Sequence, residues 1–242
     1  MTFVPWALGT LVTRNRKAAA TTVGTYGDQV RQALLDSAEE LFATFGVDAV
    51  SNRRIAEHAG NANHSAVSYH FGSRDALVRA TMMRYSEDAR RRRRELVEML
   101  GPEPGLRDLL SCLIVPLTDQ LAALPVPSWR ARFLRQLRTV PSMVATVAAN
   151  TTADPDIVHL IGRARATVSD LPESVITGRS WLLGHMVIDA CAEYEERLER
   201  EPVEPDWTGF AYFLVDACAG MLEAPVTSEG DFLSSRAEST WA

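Results

Sequence analysis

The sequence predicts an all-α fold, and three observations carry that prediction. Apolar residues recur at helical spacing through almost the whole chain, helix caps and stops punctuate those runs, and no alternating apolar–polar stretch with hairpin chemistry occurs. The helical face is clearest at the start, where Val30, Ala33, Leu34, Ala38, Leu41, Phe42 and Phe45 follow a capping Asp28 and stop at Gly46. Ser51 caps a short second helix with Ile55, Ala56 and Ala59, ended by Gly60. The stretch NANHSAVSYHF leads to Gly72, after which Ser73 caps a long helix predicted to run to about Leu100. Gly101-Pro102-Glu103-Pro104-Gly105 is the strongest break. Leu106, Leu109, Leu110, Leu113, Ile114, Leu117 and Leu121 make the next face, with a kink expected at Pro116. Pro125 and Pro127 separate it from a helix holding Trp129, Phe133, Leu137 and Val140. Asp154-Pro155 opens another, which Leu171-Pro172 closes, and two long helices follow at about 174–200 and 206–222.

Composition narrows the chemistry. The 242 residues are 46% hydrophobic and 23% charged, with no uninterrupted apolar run long enough for a membrane span. The apolar residues at the very start lack the basic lead of a signal peptide, because Arg14, Arg16 and Lys17 come after them. Cys112, Cys191 and Cys218 form no CxxC pair, which points to a reducing, cytoplasmic setting. The net charge of −6 is unevenly spread. Residues 1–27 hold three cations and no acid, residues 28–100 eleven Arg against eleven acids, and residues 191–242 three Arg against twelve acids. An acidic total therefore does not exclude nucleic acid, since phosphate attraction depends on where the cations sit. Lys17 is the single lysine, so the body of the chain has no Walker lysine and no Schiff base.

The stretch Asn61–Leu77 concentrates polar and aromatic groups, and three chemistries could use them. Catalysis needs a nucleophile, a base and an orienting group that converge from separate places, whereas His64, Ser65, Ser68 and His70 lie within two helical turns. Gly178-Arg179-Ser180-Trp181 opens like a nucleophile elbow but has Leu182 at the second glycine and no preceding strand. No enzyme activity and no cofactor are expected. A metal is equally unsupported, because His64 and His70 are six apart and face opposite sides of a helix. DNA recognition fits best. Two short helices joined by a glycine-containing turn and packed on a longer one form a helix-turn-helix, whose second helix brings small and polar residues into the major groove. Asn63 can cap that helix, His64, Ser65 and Ala66 fill its first turn, and Val67 anchors it inward. Ser68, Tyr69 and His70 continue it, and Arg74 opens the next helix where a phosphate would dock. Ser51, Asn52, Arg53 and Arg54 add a polar and basic first turn on the preceding helix.

These residues resemble a known pattern. Ala38, Leu41 and Phe42, then Gly46, Ile55-Ala56, Ala59-Gly60, His70-Phe71 and Ser73-Arg74-x-x-Leu77 look like the N-terminal domain of TetR/AcrR-type transcriptional regulators, over about residues 25–85. The sequence departs from the family at Val50-Ser51 in place of Thr-Thr, in a turn one residue longer after Gly60, and in Ser68 with Tyr69 one place later. A subset of the family shows this Ala-Val-x-Tyr-His-Phe-Gly-Ser form.

The resemblance implies a homodimeric repressor released from a palindromic double-stranded DNA operator by a small apolar or amphipathic effector. The alternative is a helical small-molecule-binding protein that no longer reads DNA. The implied organisation is a leader over 1–25, with Arg14, Arg16 and Lys17 as a possible basic arm, a DNA-binding domain over 26–86, an effector-binding and dimerisation domain over 87–223, and a polar tail over 224–242. Trp129, Arg132, Phe133, His159, Trp181 and His185 are the candidates to line the effector cavity. The last two helices show apolar faces suited to a four-helix dimer interface: Ile176, Leu183, Val187, Cys191, Tyr194 and Leu198 on one, Phe210, Phe213, Leu214, Ala217 and Met221 on the other. The five-arginine run Arg90–Arg94 points all round its helix and reads as a solvated, paired segment or a domain contact.

Overall fold

A computed structural model describes residues 26–152, 154–201 and 203–227. The leader and its basic arm, and the tail beyond 227, lie outside these residues. Helix and no strand is found among the described residues. The helices are α1 (Tyr26–Phe45), α2 (Asn52–His58), α3 (Ala66–Phe71), α4 (Arg74–Met83), α5 (Ser86–Glu98) and α6 (Leu106–Ala122). They continue with α7 (Arg130–Leu137), α8 (Pro141–Thr152), α9 (Pro155–Ala166), α10 (Glu173–Arg200) and α11 (Trp207–Glu223).

Two apolar cores organise these helices. The first gathers Leu34, Leu35, Ala38, Leu41 and Phe42 of α1, Ile55 and Ala56 of α2, Ala66 and Val67 of α3, and Leu77 and Val78 of α4. It also takes Phe133 and Leu137 of α7, with Phe42 and Phe133 stacked at 6.0 Å between ring centroids. The second core is built by α6, α9, α10 and α11, through residues such as Leu109, Leu121, Leu160, Cys191, Leu214 and Cys218. Helix α7, with Val140 and with Met143 of α8, is thus the piece of the later chain that serves the first core.

The long helix predicted from Ser73 to Leu100 is two helices, broken at Arg84-Tyr85. The reason is long-range. Arg130 of α7 donates to the carbonyl oxygens of Thr81 (2.8 Å) and Met82 (2.6 Å), and Ser86 Oγ donates to Met83 O at 2.8 Å. These donors satisfy carbonyls that a continuous helix would have bonded internally. The predicted helix holding Trp129 and Val140 is shortened to α7, with Trp129 before its first turn and Val140 past its end, and a separate α8 begins on Pro141. Proline suits a first helical position because its missing N–H would be unpaired there anyway.

Buried polar groups tie α7 on both sides. Glu195 of α10, 2% exposed, accepts from Ser128 Oγ (2.7 Å), Ala131 N (3.2 Å) and Arg132 N (3.0 Å), and so caps α7 from another helix. On its other side Arg130 lies 3.8 Å from Glu39 of α1 and against the rings of Tyr85 and Phe133. Burial pushes the Glu39 carboxyl above its usual range, against the pull of Arg130 and Arg84.

The arginine run is a set of tertiary ties. Arg92 bonds Asp119 of α6 at 2.7 Å, while Arg93 reaches Asp154 at 2.8 Å and Arg90 the same oxygen at 3.5 Å. Arg91 keeps a local pair with Asp88. The solvated face expected for the run is therefore confined to part of it.

Candidate nucleic-acid interface

The helix-turn-helix is assembled from local hydrogen bonds before any partner is considered. Ser51 Oγ accepts from Arg54 N at 3.2 Å and caps α2. Gly60 ends that helix at φ 68°, a left-handed conformation that a side chain would strain. The lengthened turn is organised by two consecutive asparagine side chains. Asn61 Oδ1 accepts from Asn63 N (2.8 Å), and Asn63 Oδ1 accepts from Ser65 N (2.9 Å). The Asn63 carbonyl then takes Ala66 N at 3.0 Å. Asn63 thus caps a turn three residues ahead of the helix proper, and α3 begins at Ala66. His64 and Ser65 belong to that turn and are exposed. Gly72 closes α3 at φ 76°, and Ser73 Oγ accepts from Ala76 N to cap α4.

The structure sorts the predicted contact residues into two sets. Asn63, His64, Ser65, Ser68 and Tyr69 are exposed, with Tyr69 at 82%, and His70 is half-buried with its ring edge-on to Tyr69. Arg53 and Arg54 are exposed on α2, Arg54 stacking on Phe45 at 3.9 Å. Arg53 Nε donates to Glu57 Oε1 at 2.7 Å, and that bond holds the Glu57 carboxyl below the usual range. His64 Nδ1 stands 3.9 Å from the same carboxylate, so Glu57 links the turn to α2.

The other set faces inward, and here the sequence expectation is corrected. Ala66 is buried beside Val67 in the first core and presents no side chain to a groove. Arg74 turns back onto the domain: Nη1 donates to Asn52 Oδ1 at 3.2 Å, Nη2 donates to the carbonyl of Val47, and the guanidinium stacks over Phe42. Arg74 and Asn52 thus brace the start of α4 against α1 and α2 and hold the face that α3 presents.

The predicted effector residues do not converge. Phe133 is in the first core and Trp129 packs against it. Arg132 is held by Glu195 and by Glu199 at 2.6 Å. His159 is exposed on α9, and Trp181, 65% exposed, meets His185 edge-on along α10. Large aromatics proved poor guides because two of them serve packing between helices distant in sequence.

The cavity lies elsewhere, about 410 Å³ in volume, between α6, α9, α10 and α11, with Arg93 of α5 on its wall. Its lining is aliphatic: Leu110, Leu113, Ile114, Ile161, Leu183 and Val187 among others. The signal available in the sequence was the aliphatic periodicity of these helices, which is indistinguishable from ordinary core. Ser180 also lines it, its Oγ donating to Ile176 O along the helix.

The three thiols are buried, and burial pushes Cys191 up to about 12 and Cys218 up to about 11. The thiolate is the reactive form, so a disulfide reagent at pH 8 is expected to label the native chain at least ~10-fold more slowly than the unfolded chain. Rapid labelling of all three thiols in the native state would contradict this packing.

Among the described residues no three His, Cys, Asp or Glu side chains cluster as metal ligands, and no helix is long and apolar enough to cross a membrane. Comparison with known proteins finds no match among curated sequences. Among solved structures the chain is similar to AmtR of Mycobacterium smegmatis (19% identity over 86% of this chain and 88% of that one, TM-score 0.49). It is also similar to a bacterial regulatory protein in the tetR family from Rhodococcus RHA1 (19% identity, 80% and 96%, TM-score 0.47). Residues 34–81 match the family described as bacterial regulatory proteins, tetR family, which spans α2 and α3 with most of α1 and α4. The match to that family thus rests on residues 34–81, the helix-turn-helix of α2 and α3 with the parts of α1 and α4 that brace it.

Proposed function

We propose that the chain is a homodimeric, ligand-responsive repressor that binds a palindromic double-stranded operator. The turn at His64-Ser65 and the outer face of α3, with Ser68 and Tyr69, would read the bases. The observation that carries this reading is an unburied polar and aromatic face held on a fully packed three-helix core. A tyrosine left 82% exposed contributes little to folding, whereas its ring and hydroxyl suit a nucleotide backbone or a base edge. Arg53 and Arg54 would supply phosphate contacts beside it.

Dimerisation through the last two helices keeps its place in the proposal, with Phe213 retained and the other residues changed. Ile176, Leu183, Cys191, Leu198 and Leu214 are spent on the chain's own second core. The large apolar side chains left exposed on these helices are Trp181 and Leu182 of α10 and Tyr212 and Phe213 of α11. We assign these side chains to contact with a second copy, since large apolar groups left in solvent favour an interaction surface. A two-fold dimer would present two copies of α3 to successive major grooves, and an effector would shift the population to a form whose spacing no longer fits.

Fluorescence anisotropy with labelled duplexes from the region upstream of the chain's own gene tests the proposal. A saturable complex is expected whose affinity falls steeply and log-linearly with salt, because each phosphate contact releases condensed cations. Absence of any complex, or a binding constant insensitive to salt, would overturn it.

A further inference from the structure

The lining of the cavity has an unusual balance of polar groups. Two guanidinium groups, Arg93 and Arg165, stand on its wall, and no carboxylate does. Arg165 is held by Glu173 at the exposed end. Arg93 is 6% exposed, donates through Nη1 to Asp154 Oδ2 at 2.8 Å, and keeps a buried Nε with no partner. A buried donor left unpaired is costly and rare in a folded protein, so a group supplied from outside is the natural acceptor. The rest of the surface is aliphatic and matches a hydrocarbon body.

We propose that this cavity binds an apolar carboxylate, with its hydrocarbon body among Leu110, Ile114, Ile161 and Val187 and its oxygen atoms on Arg93. The inference rests on reading the protein as ligand-responsive and adds the chemical class of the ligand. In a site of low polarity a carboxylate on a guanidinium is a strong charge-assisted pair, whereas an ammonium head would meet two guanidinium groups on the wall, the nearby carboxylates of Asp154 and Glu173 being engaged by those same groups.

The same contact gives the ligand a route to the DNA-binding domain. Asp154 divides its oxygens: Oδ1 caps α9 through Asp156 N and Ile157 N, and Oδ2 receives Arg93 and Arg90. A ligand carboxylate competes with Oδ2 for Arg93 and so alters the tie between α9 and α5, the helix that follows α4 out of the DNA-binding domain. Arg93 and Asp154 also line a second cavity of about 240 Å³, beside Met82 and Met83 at the end of α4.

Isothermal titration of the full chain with three ten-carbon probes, decanoate, 1-decanol and decylammonium, tests the class. Decanoate is expected to bind at least ~10-fold more tightly than decylammonium. Val187→Trp should block every probe by filling the cavity. Arg93→Met should weaken decanoate by at least ~10-fold while leaving decanol within about threefold, and Arg93→Lys, which keeps a cation for Asp154 and for the ligand, should recover part of the loss. Decylammonium binding as tightly as decanoate, or an Arg93→Met chain that binds decanoate normally, overturns the carboxylate assignment. If decanol or decylammonium then releases DNA, the ligand-responsive reading stands without it. If no probe binds the wild-type chain, the proposal falls together with the cavity as an effector site.

Discussion

Replacing Arg130 with alanine is expected to destabilise the protein by about 3–5 kcal/mol, the usual cost of removing one partner from a buried ion pair. Arg130 is 4% exposed and does three things at once. It neutralises Glu39, satisfies the Thr81 and Met82 carbonyls at the break between α4 and α5, and stacks on Tyr85 and Phe133. Alanine would leave a buried carboxylate without its cation and two carbonyls without the donor that Arg130 supplies. Arg84, 3.6 Å from Glu39, compensates for only part of that charge. For a chain of this size such a loss should lower Tm by on the order of 10 °C. Lysine should rescue less than half, because a single ammonium cannot span two carbonyls and lie flat on a ring.

The deficit carries a pH signature. The Glu39 carboxyl already lies above its ordinary range through burial, and loss of Arg130 raises it further. A carboxyl whose folded pKa exceeds its unfolded pKa stabilises the folded state when protonated and loses that contribution as pH rises through the folded value. The alanine variant should therefore fall short of wild type by less at pH 5 than at pH 8. Equal thermal unfolding of the two chains at both pH values would contradict this account of the inter-helix tie.

The double substitution His64→Ala, Tyr69→Ala is expected to reduce affinity for the operator by on the order of 100-fold or more, with the fold retained. Each base-edge contact contributes about 1–3 kcal/mol of discrimination, and these two side chains lie at opposite ends of the exposed turn-and-helix face. Neither is in the first core, and their loss leaves Val67, Ala66 and the Asn61–Asn63 turn intact. Helical circular dichroism should accordingly be unchanged, which separates loss of recognition from loss of structure. The same change at Arg74 should behave differently. Its bonds to Asn52 and to the Val47 carbonyl make it a brace, so its removal should lower stability as well as binding.

Local chemistry made the first third of the chain legible. Ser51 and Ser73 act as the caps their positions predict, and Asp154 does the same before α9. Glycine stops at Gly46, Gly60 and Gly72 adopt the left-handed conformation expected of them. The lengthened turn, an anomaly in the sequence, becomes ordinary once Asn61 and Asn63 are seen to hydrogen-bond the backbone two residues on. What escaped the sequence is long-range. The break at Arg84-Tyr85 depends on Arg130, nearly fifty residues away. Phe133 serves a core most of whose members precede it by more than fifty residues, and it stands apart from the cavity. The division of the arginine run into buried and exposed members was likewise set by Asp119 and Asp154 on other helices. Residues of α10 that read as an interface are buried in the second core of the same chain, where α11 packs on α10.

The central claim is that His64 and Tyr69 read sequence from the turn and α3. The most direct measurement is the ratio of affinities for the chain's own upstream duplex and a scrambled duplex of equal length and salt. The wild-type ratio should be on the order of 1,000 or more, as for other specific DNA-binding proteins. In the His64→Ala, Tyr69→Ala chain the ratio should collapse towards one while the affinity for scrambled DNA changes little. An undiminished ratio in the folded double variant would place recognition elsewhere on the protein.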